Sequence, residues 1–172
     1  MTLAELLVTL ALIGVISTAA LTVLEHGQRA WATGAALAET QQSARVALAR
    51  LVADVRAAGF GGTGFDAVAL AEPQRVVLQQ DLDADGAITT SGERVTWRLA
   101  GSILRRDAGG GAQPIVNGVR ALQLRYLDAH GAATTVPQDV RTIAVMLTIG
   151  PDGANAATPD TTMSTRIRLR NR

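Results

Sequence analysis

The chain has 172 residues, enough for one domain and an extension. Its 16 basic and 15 acidic side chains leave a net charge of +1, and every basic one is arginine, so there is no field for nucleic acid or anionic lipid. With no cysteine, disulfides, thiolate catalysis and cysteine-based zinc sites are excluded, while the redox compartment stays open.

The hydrophobic fraction is 48% but aromatics make up only 3%, so the apolar content is mostly Ala, Leu and Val, much of it in the first quarter of the chain. The run from Leu3 to Leu24 is long enough to span a bilayer. Glu5 is its one charge, and the next is Glu25. A carboxylate in such a segment costs about 2.5–3.5 kcal/mol at a bilayer centre, less near an end, and calls for a cationic partner. No Arg or His precedes it. The nearest candidates are the α-amino group of Met1 and the same amine on another copy of the chain. A secretory signal would begin with a basic stretch and finish at a small-residue cleavage site. Here the first charge is acidic and the helical pattern continues beyond residue 24, which predicts a retained segment.

The helical pattern runs without proline from Thr2 to Ala58. After Glu25 it becomes amphipathic: Leu37, Ala44, Leu48, Leu51 and Val55 recur at spacings of three, four or seven, with Glu39, Gln42, Arg45, Arg50 and Asp54 largely elsewhere. A helix of about 57 residues would span roughly 85 Å, far more than one small domain needs. Gly14, Gly27 and Gly34 are its weak points. The spacing divides the chain into 1–28, the apolar half-helix, and 29–172, a globular domain. An exposed apolar half-helix is insoluble alone. It must lie in lipid, be buried against copies of itself, or do both in sequence.

Gly59-Phe-Gly-Gly-Thr-Gly64 predicts a helix stop and a flexible loop. It is not a phosphate cradle, since it follows a helix and no Lys-Ser/Thr comes after it. From residue 75 to 170 the pattern is that of an antiparallel sheet, with strands at Arg75–Gln80, Arg94–Leu99, Ser102–Arg106, Ala121–Leu127, Arg141–Ile149 and Thr162–Arg170. Ala100-Gly101 predicts a tight hairpin, Asn117-Gly118 a turn, and Gly150–Asp160 a long loop. Alternation in Thr165–Arg170 points Ile167 and Leu169 at the helix and the arginines outward.

Between the first two strands lies Asp81-Leu-Asp83-Ala-Asp85-Gly86, which has the first half of an EF-hand-type spacing. Asp81, Asp83 and Asp85 would offer carboxylates, Ala87 its carbonyl, and Ile88 would tuck into the core. Position twelve is Gly92, with Glu93 one residue later, and no helix flanks the loop. Structural Ca2+ held by Asp81, Asp83, Asp85, Ala87 and Glu93 is one reading; a solvated acidic turn is the other. His26 and His130 have no partner at nucleophile or metal spacing, and no catalytic constellation is recognisable, so no enzyme is expected. Trp31, Trp97 and Tyr126 are expected to be packing residues.

Thr2-Leu-Ala-Glu-Leu-Leu-Val8 resembles the start of mature type IV pilins and type II secretion pseudopilins, and the order helix, Gly-rich loop, antiparallel sheet resembles their layout. Where those proteins usually begin with Phe, this chain has Met1. Ala47-Leu-Ala-Arg-Leu-Val-Ala-Asp-Val-Arg-Ala-Ala-Gly-Phe60, Gly92-Glu-Arg-Val-Thr-Trp-Arg-Leu99 and Arg168-Leu-Arg-Asn171 are similar to PilW-type minor pilins. The resemblance implies an α+β pilin-like fold, with the long N-terminal helix packed on the sheet. It implies that a leader is removed and Met1 is N-methylated by a prepilin peptidase/N-methyltransferase. It also implies that Glu5 meets the positive N-terminus of a neighbouring subunit as the filament grows, the other subunits being pilins or minor pilins. The chain would sit as a single-pass inner-membrane protein with its C-terminal domain in the periplasm, then enter an extracellular pilus or periplasmic pseudopilus. The alternatives are a J-type pseudopilin of type II secretion and a non-polymerising bitopic protein with a ligand-binding β-domain.

Overall fold

The computed structural model describes residues 2–62, 64–150 and 159–171. It is an α+β fold: one helix, α1 (Leu3–Ala57), followed by antiparallel strands in two sheets. Two compact units divide it, Met1–Ala38 and Glu39–Arg172.

In the first unit every described residue up to Gly34 is exposed, including Leu3, Leu6, Leu10, Ile13, Val15 and Leu24. The helix passes unbroken through Gly14, Gly27 and Gly34, because the long apolar and Ala-rich stretches around them propagate the turn at little cost per residue.

In the second unit the helix buries one stripe: Thr40, Ala44, Ala47, Leu48, Leu51 and Val55. These pack into a core with strand residues such as Trp97, Leu104, Leu122, Ile143 and Leu147. The stripe is the one the spacing predicts, except that Leu37 is only half-buried. The helix stops where glycine becomes obligatory. Gly59 (φ +78°) and Gly61 (φ +93°) adopt a conformation that L side chains avoid. A Cβ on Gly59 would press on the Asn171 backbone, and one on Gly61 would collide with the Asp81 carbonyl. Thus the glycines that suggest a flexible loop include two locked by close approach. Gly59 N donates to the Gln79 carbonyl (2.8 Å), and Asp81 N donates to the Phe60 carbonyl (2.8 Å). Asn171 completes the cap: its Nδ2 lies 3.2–3.4 Å from the carbonyls of Arg56, Ala57 and Ala58, of which Ala57 also accepts from Phe60 N (3.0 Å).

The first sheet contains β1 (Val68–Glu72), β2 (Arg75–Gln79), β3 (Arg94–Ala100), β4 (Ile103–Asp107) and β5 (Gln113–Val116), in that order. The second contains β6 (Val119–Leu127), β7 (Thr142–Ile149) and β8 (Thr161–Arg168). The sequence pattern shows neither β1 nor β5, and both are edge strands. β5 carries Pro114, which an edge tolerates and a central strand does not. β1 is Val-Ala-Leu-Ala-Glu with a register shift at Val68/Leu70, a weak strand-former that its partner β2 stabilises. Asn117-Gly118 lies between β5 and β6, where the chain leaves the first sheet for the second. Of the expected loop Gly150–Asp160, residues 151–158 lie outside the described residues.

The sheets are tied together by the Tyr126 hydroxyl, which lies 2.7 Å from the Glu72 carbonyl and 3.1 Å from that of Arg75. Leu124 N donates to the Pro73 carbonyl at 2.8 Å. Ile167 and Leu169 are buried in the core and Arg166 and Arg168 are exposed, as the alternation predicts. Trp97 and Tyr126 pack in the core, but Trp31 is 80% exposed. It lies before the amphipathic stripe begins, so the described chain offers it nothing to pack against.

Candidate functional site

Two places bring sequence-predicted residues together. The first is the start of α1. Thr2 N donates to Glu5 Oε2 (2.7 Å), and Glu5 N donates to Thr2 Oγ1 (3.3 Å). This is a capping box: threonine and glutamate three residues apart satisfy each other's amide at a helix start. Among the described residues Glu5 therefore has a partner within its own helix, the Thr2 amide, at the positive end of the helix dipole. The Thr-x-x-Glu spacing is legible in the sequence, but a search for an opposite charge passes over it. Met1, the residue expected to be processed and methylated, lies outside the described residues.

Beyond Glu5 the segment's threonine hydroxyls are satisfied by its own backbone. The hydroxyls of Thr9, Thr18 and Thr22 donate to the carbonyls of Leu6, Gly14 and Thr18 at 2.8–2.9 Å. Such back-bonding lets hydroxyls reside where no water is present. The apolar run ends in the Arg29–Glu25 ion pair, one helical turn apart, and the exposed Trp31 follows. The helix is long and apolar enough to cross a membrane, and no part of the apolar window is buried.

The second place is the loop between β2 and β3. One carboxylate oxygen from each of Asp81, Asp83 and Asp85 lies within 4.8 Å of the others. Asp81 is buried, and its oxygens accept from Ala84 N (2.7 Å) and Gly86 N (3.0 Å). Asp83 Oδ1 accepts from Asp85 N (3.3 Å), and Asp85 Oδ1 from Ala87 N (2.7 Å). Both of these carboxylates are exposed. Asp83 is held above its ordinary value, foremost by desolvation and then by the charges of Asp85, Glu93 and Asp81, against the pull of the Asp85 amide.

Glu93 is fully buried. Its Oε1 accepts from Leu82 N (3.1 Å) and its Oε2 from Thr89 N (2.9 Å) and Thr90 N (2.7 Å). The Thr90 amide, helped by those of Leu82 and Thr89 and by the Thr90 side chain, outweighs burial and holds its carboxyl down at about 2. Glu93 thus ties the two ends of the loop together as an amide acceptor. Ile88 is half-buried rather than part of the core. The converging aspartates offer hard oxygen ligands of the kind calcium takes, with Asp83 and Asp85 the two whose oxygens face solvent.

His26 and His130 are exposed, the latter in a turn organised by the Asp128 carboxylate, which accepts from His130 N (2.8 Å) and Ala132 N (2.9 Å).

The residue that sequence reading did not single out as functional is Asp54. Its Oδ2 accepts from Trp97 Nε1 (2.7 Å) and Arg106 Nε (2.7 Å), and its Oδ1 accepts from Arg106 Nη2 (3.1 Å). This one carboxylate fastens α1 to β3 and β4. Its partners lie 43 and 52 residues away, beyond the reach of any local pattern.

No protein-family model matches the chain, and no curated protein matches it. What stands is an α+β protein with a long N-terminal helix, apolar enough in its first half to cross a membrane, whose second half packs on antiparallel strands.

Proposed function

We propose that the chain is a structural subunit of a type IV pilus-like filament, a minor pilin that joins or initiates assembly through packing of its N-terminal helix. Before assembly that helix holds it in the membrane. The observation that carries this reading is the helix itself: none of its apolar window is buried among the described residues, the hydroxyls of Thr9, Thr18 and Thr22 are bonded to its own backbone, and its only charge before Glu25 stands at the first turn. A segment of that kind needs lipid or copies of itself. Glu5 serves in two states. In the single chain its carboxylate caps the first turn. In the filament it faces the positive N-terminal end of a neighbouring helix, where exclusion of water makes the attraction large and fixes the axial register.

Cap and charge separate cleanly by mutation. Glutamine serves in a capping box as glutamate does, so Glu5→Gln keeps the cap and removes the charge, while Thr2→Ala weakens the cap and keeps the charge. The measurement is incorporation of the tagged full-length chain into sheared filaments, alongside its membrane fraction. Glu5→Gln is expected to lose incorporation with membrane insertion unchanged, and Thr2→Ala to retain most of it. Undiminished incorporation of Glu5→Gln would remove the charge-pairing step. Absence of the unmutated chain from any filament would favour a bitopic protein that does not polymerise.

A further inference from the structure

The outer face of the second sheet carries arginines that have no ion-pair partner among the described residues. Across β6, β7 and β8 the register sets Arg125, Ala144 and Arg166 in one row and Gln123, Met146 and Ser164 in the next. Arg168 stands one row further, paired across to Thr142. None of these positions carries a carboxylate, and neither Arg125 nor Arg166 has an ion-pair partner among the described residues. Ala144 between the two arginines makes the face concave: a groove of about 620 Å3 lies over it, floored by Ala144 and Met146. With strands spaced about 4.8 Å apart, the two arginine stems stand roughly 10 Å apart on either side of that floor.

The same unit carries the complementary shape. Leu82 and Phe60 are both more than half exposed. The hydrogen bond from Asp81 N to the Phe60 carbonyl holds the start of the loop to the end of the helix. Asp83 and Asp85 follow Leu82 in the loop and face solvent, with no ion pair to an arginine among the described residues. The loop presents an exposed leucine followed by two exposed carboxylates, and the groove is an apolar floor with basic walls. We propose that the groove over Ala144 receives the acidic loop of a second copy of this chain, with Leu82 against Ala144 and Met146, and Asp83 and Asp85 between Arg125 and Arg166. Each copy carries both halves, so the contact is heterologous and repeats from copy to copy. The contact requires neighbouring copies but not the filament reading above.

The chain has no cysteine, so an engineered pair reports the contact without background. Full-length chains bearing Leu82→Cys and full-length chains bearing Ser164→Cys, with different tags, are mixed in detergent micelles containing chelator and oxidised under mild conditions. Mixed disulfide is expected between the two tags, falling as salt is raised. Arg125→Glu/Arg166→Glu in the Ser164→Cys chain should slow its formation by about tenfold or more. Adding Asp83→Arg/Asp85→Arg to the Leu82→Cys chain should restore it, which a misfolded groove could not do. A yield no greater than that of Leu82→Cys with a cysteine placed at His130 would overturn the proposal, as would a yield indifferent to the charge reversals. Because the reaction is read in dispersed micelles, its failure leaves the filament reading standing, and loss of the filament reading leaves the docking result intact.

Discussion

Asp54→Ala is the sharpest test of how the helix is held to the strands. The substitution leaves Arg106 with no carboxylate and the Trp97 indole N–H with no acceptor, Trp97 being fully buried. Removing one partner of a buried ion pair costs about 3–5 kcal/mol. Here the Arg106 and Asp54 side chains are 18% and 15% exposed, so water reaches both and the lower end applies, about 3 kcal/mol. For a unit the size of Glu39–Arg172, each kcal/mol moves the midpoint by about 3–4 °C, so the expected loss is about 10 °C. The assay is thermal unfolding of the full chain in detergent, followed by Trp97 fluorescence in a Trp31→Phe background. Asp54→Ala/Arg106→Leu should recover much of the loss, because it removes the stranded charge and leaves only the indole unpaired, about 1–2 kcal/mol. An Asp54→Ala chain within about 1 kcal/mol of the parent would refute the argument, since the pair would then contribute no more than a surface contact. So would a double variant worse than either single one.

Further predictions concern the loop, the apolar helix and its end. Glu93 has a folded value of about 2 against an ordinary 4.5, so its contribution to stability is complete above pH 4.5 and is lost as pH falls toward 2. Melting temperature against pH should therefore drop over that window in the parent and run flatter in Glu93→Gln, and parallel curves would count against the amide cage. Calcium should raise the midpoint of the parent and leave Asp83→Asn/Asp85→Asn unmoved; a parent midpoint indifferent to both calcium and chelator removes the metal reading. In lipid vesicles, Trp31 should report the headgroup region, with blue-shifted emission and partial shielding from aqueous quenchers in a Trp97→Phe background, whereas full quencher access would place the apolar segment outside the bilayer. Asn171→Ala should free the Arg56 and Ala58 carbonyls, while that of Ala57 keeps the Phe60 amide, and cost about 1 kcal/mol, read as a small fall in urea midpoint with unchanged slope.

Much of this protein is set by local sequence. The membrane-length apolar run, the stripe Ala44, Leu48, Leu51 and Val55, the helix stop at Gly59 and the alternation of β7 and β8 are all legible, because each follows from a period or a punctuation within a few residues. The capping box at Thr2 and Glu5 belongs to the same class, although it emerges only when hydrogen-bonding partners rather than opposite charges are sought. Tertiary structure decided the rest. The edge strands β1 and β5 exist because a neighbour completes their ladder, which neither Val-Ala-Leu-Ala-Glu nor a Pro-containing run announces. Glycines 59 and 61 read as slack but are tight, since the Asn171 and Asp81 backbones close on them from remote parts of the chain. The Asp54 clamp, the Glu93 cage and the groove between Arg125 and Arg166 likewise depend on which strands lie side by side. That is a matter of sheet register, and register is settled by packing of the whole core rather than by any one segment.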